Sequence, residues 1–529
     1  MAKAAKGREA PQDEPYLDTT AYGPGKDDCV AEATENAAIT HHTVTIGGKK
    51  IAYTARAGHL VTIDMSNAKP AAKIFYVAFT ADGANPTTRP VTFFYNGGPG
   101  SSSVFLLLGS FGPRRIHTNM PRFTPPAPYT LEDNPDSLLD CSDLVFIDPV
   151  GTGYSAAICP KRNVDFWGVD QDAAAIKQFV KRYLTAFNRW NSPKFLFGES
   201  YGTPRTCVLT WLLHEDGVDL NGIVLQSSIL DYGAAGTPVG LLPTFAADAW
   251  FHGHRGAPLP LEFMKRVAAF AREDYAVALA AFPRTDPKVI KELSDFLSIA
   301  PDVLESWQLN PASNDLIFLT SLLQGLAVGA YDGRVTAQDT GIAGSVSPDS
   351  GNNDPTMTAV GGVYTAMWNV YLNDELKFVA TSPFLDVNDQ AFNNWDFSHT
   401  DPTGAEVGGE ASLYTAGDLA ASMALNPYLR VFSANGYYDA VTPFLQTLLT
   451  FESMPVSKGD LDRLSVHNYP SGHMVYLDNP SRAAMKADLV PFYAAAAPGA
   501  AVAKAQLAGP AKVVVSQSRY RRRFSRTPY

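Results

Sequence analysis

Residues 194–203 read KFLFGESYGT, and the fold follows from how that stretch must be arranged. Phe195, Leu196 and Phe197 form a short apolar run suited to the end of a buried strand, and the CVLTWLLHE segment from Cys207 is helix-compatible. Between them Gly198-Glu199-Ser200-Tyr201-Gly202 is a G-x-S-x-G nucleophile elbow in its strand–turn–helix setting. The turn holds its serine in a strained conformation, and side chains two positions to either side would clash, which accounts for Gly198 and Gly202. This geometry lifts the Ser200 hydroxyl above the sheet edge and aims the next helix N-terminus at a developing oxyanion.

The flanking sequence supplies the rest of a sheet. RPVTFFYNGGPGSSS (89–103) is a strand running into a Gly-Pro-Gly loop, and DLVFID is a strand leading into PVGTGYS. DQDAAAIKQFVKRYLTAF (170–187) has helical apolar spacing, and NGIVLQSS (221–228) is another buried strand. The alternation predicts a doubly wound α/β sheet. Upstream, TVTIGGKKIAYTARAG from Thr43, VTIDM and KIFYVAFTA alternate, and Gly47-Gly48 signals a hairpin, so antiparallel strands open the sheet. Three helical patterns, LEFMKRVAAFAREDYAVALAAF, PKVIKELSDFLSIA and NDLIFLTSLLQGLAVG, then break the rhythm before a Gly/Ser/Asn/Asp-rich stretch at 336–355. Sheet rhythm resumes with YLRVFSANG (428–436) and LSVHNYPSGH (464–473) and closes on a helix ending near 497. The expected organisation is a poorly ordered lead-in (1–37), a first core part (38–232), an inserted mainly helical cap (233–425), a second core part (426–497) and a basic tail (498–529). The five arginines between 519 and 526 read as a solvated tail.

A net charge of -11 over 529 residues argues against nucleic-acid binding, and 46% hydrophobic residues suffice for a large core. The four cysteines, at 29, 141, 159 and 207, have no metal or redox spacing. Cys141 and Cys159 flank one loop and either pair or remain buried thiols; Cys207 is expected to pack under the elbow. No apolar run reaches the roughly 18 residues of a membrane span, and MAKAAKGREAPQDEPY lacks a signal-peptide apolar core.

A serine hydroxyl needs a base to take its proton and an acid to orient that base. Doubly wound hydrolases place them in the chain order serine, acid, histidine. Asp439, in the YYDAVTP loop after VFSANG, meets the condition for the acid, with Asp231 and Asp148 as the next candidates. His473, in SGHMVY, meets that for the base. His467 has strand-like neighbours, His41 and His42 precede the expected sheet, and the His252/His254 pair has no third ligand nearby, so no metal is expected. The NGGPGSSS loop lacks the G-K-[ST] and G-x-G-x-x-G patterns of phosphate cradles; its free backbone N–H groups suit an oxyanion hole.

NGGPGSSS, PVGTGYS, GESYG and SGHMVY, in that order, resemble the serine carboxypeptidase family, over roughly residues 85–230 and 425–490. The resemblance implies an α/β-hydrolase fold of a bacterial-type member that hydrolyses C-terminal residues of peptides, with acyltransferase or esterase chemistry as the alternative. A silent binding protein is disfavoured by a full set of three groups. It implies a Ser200–Asp439–His473 triad, an oxyanion hole of Gly98 and Tyr201 N–H groups, and Asn96, Gly97 and Glu199 holding the substrate's free carboxylate. A protonated Glu199 donates a hydrogen bond where an ionised one repels, so an acidic pH preference is expected. Met474 lines the leaving-residue pocket or packs in the core.

No cofactor is implied, the partners are peptides with a free C-terminus, and homo-oligomerisation is left open. Export to a secreted or periplasmic setting is the expectation from the family, and cytoplasmic residence the alternative. The chain departs from the family at Ser101, where a cysteine is usual, at Phe94-Tyr95 in place of W-L, at Thr203 after the elbow, and at Ser110, where a second glutamate pairs with the elbow glutamate.

Overall fold

The computed structural model describes residues 12–339 and 353–499. Part of the 336–355 stretch and the arginine-rich tail therefore lie outside the described residues. The main sheet comprises β1 (Ala37–Ile46), β2 (Lys49–Asp64), β3 (Lys69–Ala81), β4 (Val91–Tyr95), β5 (Asp143–Ile147), β6 (Lys194–Glu199), β7 (Gly222–Gln226), β8 (Arg430–Gly436) and β9 (Leu464–Tyr469). A further short strand, Ala156–Ala157, pairs with β3. Across the sheet the order is β9-β8-β7-β6-β4-β5-β3-β2-β1. The strands from β5 to β9 pair in parallel, while β1, β2 and β3 join by antiparallel ladders. His41 and His42 lie within β1, so the sheet begins earlier than its alternation shows.

Residues 195–197 show why the central strands read as unbroken apolar runs. Phe195 and Phe197 face one helical layer and Leu196 the other, and all three are buried. On the Leu196 side lie α1 (Val169–Ala186) and α2 (Gly202–Glu215), with Phe179 and Leu209 in the shared core. The inserted span begins with α3 (Pro238–Gly253), Leu261–Phe270 and Pro287–Leu297, which gather around their own apolar cluster. Two later helices of that span instead cover the sheet. α4 (Pro355–Val370) packs on the Phe197 side and α5 (Ala416–Leu425) on the Leu196 side. An amphipathic pattern fixes which face of a helix is buried, not which surface covers it. The helix expected over NDLIFLTSLLQGLAVG is broken into the single turns Ser313–Leu316 and Phe318–Ser321 and the strand Leu326–Val328.

Residues 12–36, expected to be a loose lead-in, are fastened to the sheet domain. Tyr16–Asp18 pairs with Phe378–Ala380, and Val30 bridges to Ile158. Cys29 forms a disulfide with Cys159 across 130 residues, which overturns the Cys141–Cys159 option; Cys141 and Cys207 are buried thiols. Cysteine spacing cannot reveal a pairing that depends on where the lead-in docks.

A second anchor was not visible in the sequence. Buried His399 touches Asp170 at the start of α1 through Nδ1 (2.6 Å) and Asp418 of α5 through Nε2 (3.1 Å). Burial opposes the imidazolium, but the two carboxylates outweigh it and raise its pKa to about 9. Because the folded value is raised, this stabilisation is complete below the unfolded histidine value and is lost as pH rises through about 9. His399→Leu is expected to cost about 3 kcal/mol, since it leaves Asp418 buried without its cation. Denaturant unfolding at pH 6 and pH 10 should show the gap from wild type shrinking at the higher pH.

Candidate active site

Ser200 occupies the turn between β6 and α2 with φ +59°, a left-handed backbone that costs a non-glycine residue about 1–2 kcal/mol. Its N–H donates to the Gln226 carbonyl of β7 at 3.0 Å, and its own carbonyl accepts from Thr203 N–H at 2.8 Å. The strain is thus held from the neighbouring strand and from the first turn of α2. A Cβ on Gly198 would collide with the Gly202 carbonyl, and one on Gly97 with Tyr201 N, so the loop after β4 lies directly against the elbow.

Asp439 and His473 follow the ends of β8 and β9, where parallel strands deliver their loops to one edge. The Asp439 carboxylate is fully buried. Its Oδ1 accepts from the Val441 and Thr442 N–H groups at 2.9 Å each, and its Oδ2 accepts from the Thr442 hydroxyl at 2.6 Å and from His473 Nδ1 at 2.9 Å. With Nδ1–H committed to a carboxylate, Nε2 is the acceptor nitrogen of the neutral ring. His473 N–H donates to the Tyr331 carbonyl at 2.6 Å, and the Tyr331 ring meets the imidazole edge-on at 5.1 Å. Burial works against the charged imidazole, but Asp439, assisted by Glu199 and Asp354, outweighs it and raises the His473 pKa.

Two cavities meet at Ser200. The smaller, about 110 Å³, is lined by Asn96, Gly97, Glu199, His473 and Met474. The larger, about 590 Å³, opens toward Ile229, Tyr232, Leu316 and Phe397. Gly98 borders both. No protein group among the described residues accepts a hydrogen bond from the N–H of Gly98 or Tyr201. Met474 is buried and still lines the smaller cavity, so it serves as both core and wall.

Glu199 is buried, and no cation among the described residues pairs with its carboxylate. Oε1 accepts from Asn96 Nδ2 at 3.1 Å and from the Tyr476 hydroxyl at 3.3 Å, and Oε2 accepts from Gln226 Nε2 at 2.7 Å. Burial pushes its pKa up to about 7, more than the nearby His473 charge and the donors bring it down. Asn96 is itself oriented by Leu106 N–H, which donates to its Oδ1 at 3.0 Å. Its carbonyl accepts from Arg205 Nη1 at 2.6 Å, while Arg205 Nε binds Asp172 at 2.5 Å beneath the elbow. Ser110 plays no part in holding Glu199, as its hydroxyl donates to the Leu106 carbonyl. Gln226 and Tyr476 take that place, and sequence reasoning missed both. The signals were present: Gln226 is a polar strand end in register with Glu199, and Tyr476 belongs to the SGHMVY motif.

The competing candidates are engaged elsewhere. Asp148 accepts from Ser103 N–H at 2.8 Å and Asp231 caps the turn at Ala234. His467 of β9 stacks on Phe432 of β8, His252 bonds the Gly333 carbonyl, and His254 stacks on Trp250. No cluster of metal-binding side chains occurs among the described residues.

Residues 48–229 match the model of the serine carboxypeptidase family. Serine carboxypeptidase S10 family member 1 of Dictyostelium discoideum is 24% identical over 180 residues, which span 31% of this chain and 39% of that protein. Serine carboxypeptidase-like 41 of Arabidopsis thaliana is 33% identical over 162 residues, or 29% of this chain and 30% of the relative. The matched segment thus spans well under half the length of these curated relatives. The crystal structure of Kex1(delta)p, a prohormone-processing carboxypeptidase from Saccharomyces cerevisiae, superposes with a TM-score of 0.52 at 16% identity, covering 83% of this chain and 91% of that one. The fold is that of an α/β-hydrolase. These relatives are eukaryotic and give no support to the bacterial-type expectation.

Proposed function

We propose, from the match of residues 48–229 to the serine carboxypeptidase family, that this chain is a serine-type carboxypeptidase releasing C-terminal residues from peptides through an acyl-enzyme. The observation that carries this reading is the smaller cavity, where a buried carboxyl held by neutral donors sits beside Ser200. Such a group stays protonated in mild acid and donates a hydrogen bond to an incoming carboxylate. Asn96 Nδ2 has a second hydrogen for the same anion, and the Gly97 N–H completes the set. The leaving residue then occupies the smaller cavity, and the acyl portion of the peptide extends into the larger.

In the acylation step Ser200 Oγ attacks the scissile carbonyl while His473 Nε2 takes its proton. The N–H groups of Gly98 and Tyr201 receive the oxyanion, and the C–N bond breaks as His473 returns the proton to the leaving amine. Water repeats the sequence to release the shortened peptide and free Ser200. The Asp439 carboxylate, bonded to His473 Nδ1, balances the imidazolium charge.

The productive free enzyme has His473 neutral and Glu199 protonated, and the two groups titrate as a pair. For peptides with a free C-terminus, kcat/KM is expected to fall as pH rises through about 7, because an ionised Glu199 repels the substrate. Glu199→Gln should abolish that alkaline limb. It should also move the acid limb downward, since the Glu199 charge helps to raise the His473 pKa. Release of amino acid from N-blocked dipeptides between pH 4 and 8 tests both the function and the role of Glu199. Ser200-dependent cleavage of simple esters without any such release would discard the peptidase in favour of esterase or acyltransferase chemistry. A wild-type profile without an alkaline limb would remove Glu199 from carboxylate binding.

A further inference from the structure

The loop between strands Leu326–Val328 and Thr336–Gln338 belongs to the inserted span, yet it touches both of the loops that carry the proposed acid and base. The Ala330 carbonyl accepts from Ala440 N–H at 2.9 Å, and Gly333 N–H donates to the Tyr438 carbonyl at 2.9 Å. Between them the Tyr331 carbonyl accepts from His473 N–H at 2.6 Å. Three main-chain bonds therefore fix this loop to the Asp439 turn and to His473 itself.

Arg334 anchors the loop. Its Nε and Nη2 grip the Asp332 carboxylate at 2.9 and 2.7 Å, and its Nη1 donates to the Pro470 carbonyl at 2.9 Å and to Asp478 Oδ1 at 3.0 Å. Pro470 and Asp478 bracket the His473 turn, and the guanidinium also lies over the Tyr438 ring, 5.0 Å from its centre, one residue before Asp439. The side chain is buried, with only 7% of it exposed. A planar fork with five donors can span these partners at once; an ammonium cannot reproduce that geometry. Besides the Asp439–His473 pair, the two turns are joined directly by Tyr438 N–H donating to the Ser471 carbonyl at 3.0 Å and by the Thr442 hydroxyl, 3.1 Å from His473 Nδ1.

We propose that Arg334 is a positioning residue that holds the His473 turn in register with the Asp439 turn, so that an inserted loop sets the geometry of the base. The proposal rests on the reading of Ser200, Asp439 and His473 as a nucleophile system. It does not depend on the substrate being a peptide. Misplacing a reacting group by about 1 Å costs on the order of 100-fold in rate, whereas the substrate-binding walls at Asn96 and Glu199 are built by other elements.

The test is the pH dependence of covalent labelling of Ser200 by a fluorophosphonate, with wild type, Arg334→Met and Arg334→Lys of the full chain, normalised to folded protein by circular dichroism. Arg334→Met is expected to slow labelling by about 10- to 100-fold. Its acid limb should move to lower pH, because Asp439 is what raises the His473 pKa most. On peptide substrate, kcat should fall with KM near the wild-type value, and Arg334→Lys should recover less than a third of the lost rate. If Arg334→Met does not fold, Asp478→Asn, which keeps the side-chain shape and removes one anchoring charge, should move rate and acid limb in the same directions by a smaller factor. An unchanged labelling rate and acid limb in the folded variant overturns the proposal, even if the melting temperature drops. Normal labelling of wild type without release of amino acids would sink the peptidase reading and leave this one standing.

Discussion

Ser200→Ala is expected to lower kcat by a factor on the order of 10⁴ to 10⁶ with little change in KM or melting temperature. The proposed substrate contacts at Asn96, Gly97 and Glu199 do not involve the Ser200 hydroxyl, so ground-state binding should survive. Cys207, the thiol on α2 below the elbow, is no substitute nucleophile, because it is buried and its pKa is raised well above the usual thiol value. Alanine keeps a Cβ at a left-handed position that already carries one, so the turn is neither relieved nor further strained. The residual rate reflects the oxyanion donors and binding alone. Substantial turnover in the variant, measured by release of amino acid from a blocked dipeptide, would show that the chemistry lies elsewhere in the cavity.

Asp439→Asn is expected to cost about 10³- to 10⁴-fold in kcat, more than its loss of charge by itself would suggest. The wild-type carboxylate accepts from four donors: two backbone N–H groups, the Thr442 hydroxyl and His473 Nδ1. An amide has one accepting oxygen. If that oxygen faces the backbone N–H pair, the NH₂ group faces His473 and stabilises the tautomer whose Nε2 carries the proton and cannot accept one from Ser200. If the amide is reversed, its NH₂ confronts the two backbone donors and the turn loosens. Both arrangements also remove the largest influence raising the His473 pKa, so the acid limb of the activity profile should shift to lower pH. A rate loss of less than tenfold, with no shift of the acid limb, would mean that the carboxylate does not orient the base.

Much of this site was legible along the chain. The elbow is local: a strand, two glycines and a helix within one short stretch specify where Ser200 points. Asp439 and His473 could be found because parallel strands deliver their C-terminal loops to one edge, so a carboxylate after β8 and an imidazole after β9 must approach the elbow. Asp148 and Asp231 satisfied part of the same pattern, and only their hydrogen bonds to Ser103 and Ala234 show them occupied elsewhere.

The residues that tune the site were harder to read, for one physical reason. Gln226 and Tyr476 reach Glu199 across 27 and 277 residues of chain, and Arg205 reaches the Asn96 carbonyl across 109. Periodicity records which face of an element is buried, not which neighbour arrives there. The same limit hid the Cys29–Cys159 bond and the clasp of His399 between α1 and α5.

By itself the sequence determined the order of the central strands and the strained elbow, which depend on spacing within a few residues, and it singled out Ser200, Asp439 and His473 as the candidate nucleophile, acid and base. Only the tertiary structure decided how burial among neutral donors raises the Glu199 pKa without a second glutamate and how an inserted loop comes to hold His473. Both depend on desolvation and on hydrogen bonds between segments far apart in the chain, and those are settled when the layers close over the sheet.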